Sequence, residues 1–119
     1  MRDYRKLKCF ELADNLVIQI YKSTKIFPQH EVYGLTSQMR RAAVSIPTNI
    51  AEGASRQTKK EFVQFLFIAR GSAAELSYLL SLAEKLKYLF GEDCSVLRKK
   101  CEEVEKTLLG LIRSVASDL

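Results

Sequence analysis

The chain has no tryptophan, a single histidine, two prolines and five glycines among 119 residues. So little punctuation leaves few places to turn and favours a small number of long helices. Sustained strand-like alternation is also missing. The lone His30 removes most acid–base chemistry, because a serine or cysteine nucleophile ordinarily draws on a histidine base. His30 falls in an expected loop with only its chain neighbour Glu31 beside it. Carboxylate-bridged di-iron bundles require Glu-x-x-His on two helices, and no glutamate here is followed by histidine at that spacing. Cys9, Cys94 and Cys101 form no C-x-x-C pair and supply no zinc ligand set. Buried, reduced thiols in a cytoplasmic protein are their expected state. The segment GASRQTKK has one glycine and lacks the spacing of a phosphate-binding loop. The sequence therefore predicts a non-enzymatic protein with no catalytic residue, no metal and no cofactor.

Long uncharged runs are missing too. The most apolar stretch, Phe62 to Leu82, is interrupted by Gln64, Arg70 and Glu75. Two opposite charges at the heart of a bilayer would be strongly penalised, so no membrane span is expected. The opening MRDYRKLKCFELADN carries charges throughout and does not read as a signal peptide.

What is present fits a globular chain: 47% hydrophobic and 28% charged residues. One domain, 1–119, is expected, large enough to bury roughly two-thirds of its unfolded surface. The formal charge of +5 and a pI near 9.2 suit a polyanionic partner.

Four helical segments are legible. In the first, Asp3 is a candidate N-cap, and Leu7, Phe10, Ala13, Val17, Ile20 and Tyr21 mark one face ending near Lys25. Pro28 interrupts, and a second helix is expected from about Glu31 to about Ser55. There Leu35, Met39, Ala42, Ile46 and Ile50 recur at steps of three and four. Gln38, Arg41, Ser45, Asn49, Glu52 and Arg56 form a polar row on another face. Both rows keep phase across Pro47, which predicts one helix kinked at that proline rather than two. Gly53 is read either as a close-packing point or as an early stop. Thr58-Lys59-Lys60-Glu61 matches a capping box and opens a third helix to about Phe90, closed by Gly91. Its first row is Phe62, Leu66, Ala69, Ala73, Leu76, Leu80 and Ala83; its second is Phe65, Ile68, Ser72, Glu75, Leu79, Leu82 and Leu86. In the fourth, capped by Asp93 or Ser95, Leu97, Cys101, Val104, Leu108, Leu111 and Val115 step four and three in the manner of a coiled-coil seam. Short links between such helices predict an all-α, antiparallel up-down-up-down four-helix bundle.

Two constellations stand out. Glu75 sits in a row otherwise apolar apart from Ser72, so its carboxylate is expected to be shielded. It would then need a donor from the adjacent helix, Arg41, Asn49 or Arg56. Arg41, Asn49, Glu52, Ser72 and Glu75 are thus expected to form an internal polar network. Separately, Arg2, Arg5, Lys6 and Lys8, with Arg40, Arg56, Lys59 and Lys60, could form a phosphate-binding surface. Tyr4 and Tyr33 are the only aromatics placed to stack on bases there.

The run RAAVSIPTNIAEGASRQTKKEFVQFLFIARGSAAEL resembles the four-helix-bundle proteins encoded by intervening sequences inside bacterial 23S ribosomal RNA genes. SIPTNIAEG (Ser45 to Gly53) with Arg56, EFVQFL (Glu61 to Leu66) and GSAAEL (Gly71 to Leu76) carry the likeness, which extends over essentially the whole chain. It is also similar to the accessory proteins of diversity-generating retroelements, which bind nucleic acid and a reverse transcriptase. The resemblance implies a left-handed bundle assembling into a homopentamer, with no established biochemical activity. It carries the family's polar positions onto Arg41, Asn49, Glu52, Arg56, Glu61, Ser72 and Glu75. The function these observations favour is a helical oligomer binding RNA or other nucleic acid through basic surface residues. The alternative is a protein-interaction scaffold for a polymerase or ribosome-linked partner. A lumen enzyme using Glu52 and Glu75 is a third reading, weakened by the missing histidine.

Overall fold

In the computed structural model, which describes residues 2–117 and 119, four α-helices follow one another: α1 (Lys8–Thr24), α2 (Leu35–Ala54), α3 (Lys59–Lys85) and α4 (Gly91–Ala116). Short 3-10 turns, Tyr4–Lys6 and Gln29–Glu31, precede α1 and α2, and no strand occurs among the described residues. Each helix packs on the next and α4 packs back on α1, giving a four-helix bundle 45 × 24 × 20 Å. Cross-links fix the sense of packing. The amide of Arg2 donates to the carbonyl of Ala54 near the start of α1, while Arg40 meets Thr24 near its end. Tyr88 beyond α3 reaches Glu31 before α2, and Cys101 of α4 reaches Ala73 of α3.

The apolar rows read from the sequence build the core. Leu35, Met39, Ala42, Ile46 and Ile50 of α2 are all buried, as is the whole first row of α3. In α1 the buried stripe is Cys9, Ala13, Leu16 and Ile20, rotated from the expected face, so Phe10 and Val17 lie at its edge and Tyr21 is exposed. In α4 Ile112 is buried while Leu111 is only partly so. By length and composition α3 could cross a membrane. Its apolar row, however, is the one the bundle core uses, and Arg70 and Glu75 fall in its middle.

α2 passes through Pro47 as one helix. The Thr48 hydroxyl donates to the Val44 carbonyl at 2.7 Å and the Asn49 amide to the Ser45 carbonyl at 2.8 Å, so side chains reinforce the turn beside the proline. Gly53 is a close-packing point. A β-carbon there would stand 2.6 Å from Phe65 Cβ and 3.0 Å from Phe62 Cδ1.

Four helix boundaries differ from expectation. Asp3 caps the 3-10 turn, accepting from the Arg5 amide, and α1 begins only at Lys8. α2 starts at Leu35 rather than near Glu31, because the Glu31 carboxylate accepts from the Leu35 amide at 3.0 Å and caps the helix. That bond, then one donated by the Tyr88 hydroxyl, holds the Glu31 carboxyl below the usual carboxylate range. α3 stops at Lys85, not at Gly91. Lys87 takes a left-handed conformation (φ 65°), its amide donates to Glu84 and that of Tyr88 to Ala83, a Schellman stop built on lysine where glycine is usual. Gly91, with φ 63°, is instead the first residue of α4, so Asp93 and Ser95 lie inside that helix and neither caps it. Thr58 accepts from the Glu61 amide at 3.1 Å, as the capping box requires.

All three cysteines are buried and free. Burial pushes the Cys9 thiol up to about 11 and Cys101 to about 12, the latter helped by the Glu105 carboxylate. Thiolates are the reactive form, so Cys9 and Cys101 are expected to resist a disulfide reagent at pH 8 in the native protein and to react once it is unfolded. Thiol titration with and without denaturant reads this directly. Because both folded values exceed the unfolded value of 9.0, the unfolded chain loses these protons first as pH rises. Stability should therefore decline from about pH 9 through the folded values.

Candidate functional site

One end of the bundle gathers most of the basic residues singled out above. The bond from the Arg2 amide to Ala54 folds the N-terminal segment beside the α2–α3 turn. This draws Arg2, Arg5, Lys6 and Lys8 to the same end as Arg56, Lys59 and Lys60, and all seven are exposed. The arginines among them are positioned by neighbours. The Arg2 guanidinium lies over the Phe62 ring at 5.4 Å and that of Arg56 over Phe65 at 4.7 Å. Arg5 pairs with Asp3 through two nitrogens at 3.0 and 3.2 Å, and Arg56 pairs with Glu52 at 3.1 Å. Arg2, Arg56, Gln57, Thr58, Lys59 and Phe62 surround a depression at the start of α3.

The charge pattern at that helix start runs against local preference. The N-terminus of a helix carries partial positive charge and favours carboxylates. Here Lys59 and Lys60 occupy the first turn beside Glu61, and Arg56 and Arg2 stand close by. Local rules are broken most often where a surface has a use.

Arg40 does not belong to this surface. It is some 14 residues from the end of α2, about 20 Å along the helix. There it donates to the Thr24 hydroxyl at 2.9 Å and lies over the Tyr21 ring at 4.6 Å, tying α2 to α1. Tyr4 is half-buried, edge-on to Phe10 at 4.7 Å, and Tyr33 projects from the opposite end of the bundle. The two stacking candidates therefore do not share a surface. The supports of the arginines are not visible in the sequence either. Spacing puts Phe62 in the core and Phe65 in a second apolar row, and only the fold of the turn lays Arg2 and Arg56 over them.

The second constellation requires correction. Arg41, Glu52 and Glu75 are exposed, and Asn49 and Ser72 are half-buried. The row lies on the outside of the α2–α3 seam instead of inside the bundle, because the first rows of both helices already fill the core. A polar link does cross the seam. Ser45 and Ser72 hydroxyls are 2.8 Å apart, and the Asn49 amide donates to the Ser45 hydroxyl at 3.0 Å. Neither Arg41 nor Glu75 has an ion-pair or hydrogen-bond partner for its side chain among the described residues, although both line one depression with Gln38, Ala42 and Ser45. No cluster of His, Cys, Asp or Glu among the described residues could hold a metal ion.

The arrangement is that of a helical bundle with one basic end. Residues 5–110 match the model of the family described as 23S rRNA-intervening sequence protein, and the chain belongs to that family. Among solved structures, the chain is similar to a protein of unknown function from the S23 ribosomal protein family of Bacteroides thetaiotaomicron. The TM-score is 0.81 at 24% identity, over 87% of this chain and 97% of that one. At that identity the likeness speaks to the fold. No curated protein matches the chain.

Proposed function

We propose that this protein is a non-enzymatic, cytoplasmic homo-oligomer that binds structured RNA through its basic end. The observation that carries the reading is the concentration of Arg2, Arg5, Lys6, Lys8, Arg56, Lys59 and Lys60 around the α2–α3 turn, at a helix start that ordinarily attracts anions. Phosphate contact needs only charge and donors, and repetition of the end around an assembled ring, of five copies by the family resemblance, multiplies weak contacts. Binding to a structured RNA, measured by fluorescence anisotropy, should weaken steeply with salt. Lys60→Gln should weaken it across sequences and lower the salt slope by about one. No retention of RNA at low ionic strength would remove the reading; equal affinity of the substituted and native proteins would remove this end as the site.

A second reading, a docking scaffold for a polymerase or ribosome-linked protein, is favoured by the opposite end. Ile26, Tyr33 and Phe90 project there, 77%, 96% and 67% exposed. Tyr33→Ser with Phe90→Ser would spare RNA affinity and abolish capture of such a partner.

A further inference from the structure

The outer face of α3 carries large apolar side chains beside the exposed Arg70 and Glu75. Phe67, Ile68 and Tyr78 are 50%, 52% and 63% exposed. Between them Gly71 and Ala74 form an exposed waist, and a β-carbon on Gly71 would meet nothing within 4 Å. Apolar stripes of this kind on a small protein mark a contact surface. Beside the stripe Glu75 and Arg41 carry opposite charges, on α3 and α2 respectively, each without a partner in its own chain among the described residues. The outer row of α2 continues from Arg41 through Val44 and Thr48, all exposed.

We propose that the occupant of this face is a second copy of the chain, with α3 of one copy laid against α2 of the next and Glu75 paired with Arg41 across the contact. The proposal rests on the homo-oligomer reading above and adds to it the face and the pair that specify it. Charge complementarity identifies the occupant. The stripe carries a carboxylate, the neighbouring helix carries the guanidinium that would neutralise it, and both belong to every copy. Two unlike rows on one surface also allow a head-to-tail contact, which closes into a ring when the rotation permits. Glu75 then becomes the shielded, paired carboxylate that its apolar row demands. The Ser45–Ser72 link and Asn49 lock the two helices at the register that presents both rows together.

The test is a charge swap read by sedimentation velocity on the full chain. Native protein should sediment as an oligomer. Glu75→Arg and Arg41→Glu should each weaken assembly at least tenfold, with helicity unchanged because both positions are exposed, and the double swap should restore it. A Gly71→Phe variant, which meets open space within the monomer, should assemble poorly while remaining folded. Assembled native protein with single swaps that assemble normally, or a double swap no better than either single, overturns the proposed pairing and leaves the oligomer reading intact. A monomeric native protein overturns both.

Discussion

Truncating Leu76 to alanine is expected to destabilise the fold by about 2–5 kcal/mol, the range for emptying a fully buried leucine site. Leu76 has no solvent exposure and lies midway along α3, the helix that packs against both α2 and α4. The cost has two parts: the lost transfer of the side chain out of water, and a cavity the surrounding core cannot close. Leu66, Leu80, Met39 and Ile46 are equally buried, and close-packed neighbours of that kind relax only partly. Against a total stability of about 5–15 kcal/mol, the loss is large. Urea titration followed by circular dichroism should show a lower midpoint with an unchanged slope. The contrast is Tyr78, two residues on and 63% exposed, where alanine should move the folding stability of the monomer by no more than about 0.5 kcal/mol. Equal losses at the two positions would contradict the assignment of faces on α3.

The second large effect is at Gly53. Alanine there should destabilise the bundle by about 1–3 kcal/mol, although alanine is the better helix former by up to about 1 kcal/mol. The sign follows from which atoms are in the way. Phe65 Cβ, at 2.6 Å, is fixed to the α3 backbone and cannot swing aside as the end of a flexible chain would. The two helices must separate, and the separation would be transmitted to Phe62 and to the arginine stacked on each ring. Gly53→Val should do more damage than Gly53→Ala. Gly71→Ala, on an open face, should be neutral or mildly stabilising in the monomer. Thermal melts of the three variants separate packing from helix propensity. A stabilised Gly53→Ala would mean that α2 and α3 approach less closely than these distances state.

The same two positions mark how far the sequence can be read. Leu76 falls in a row that steps four and three without a fault, so its burial is legible from spacing alone. Gly53 admits two readings, since a glycine in the last turns of a helix serves equally as a stop or as a contact. The capping box at Thr58 is legible because its bonds lie within four residues. The end of α3 is not, because Lys87 occupies the left-handed position that sequence reasoning reserves for glycine or asparagine. Arg40 illustrates the limit for the candidate site. Its neighbour Arg41 shares its charge and chain position, yet one is spent on joining α1 to α2 and the other is left unpaired at the surface.

By itself the sequence determined the four helices and the rows of α2 and α3 that fill the core. These follow from residue type and from spacing along one chain, which a helix converts into direction about its own axis. It could not determine which neighbour each direction meets. The first rows of α2 and α3 were enough to fill the interior, so Arg41 on α2 and Glu75 on α3 were turned outward. The backbone bond from Arg2 to Ala54 carried a distant basic cluster to the α2–α3 turn. Both outcomes depend on how separate helices share a finite core, a property of the packed bundle that no spacing within one helix contains.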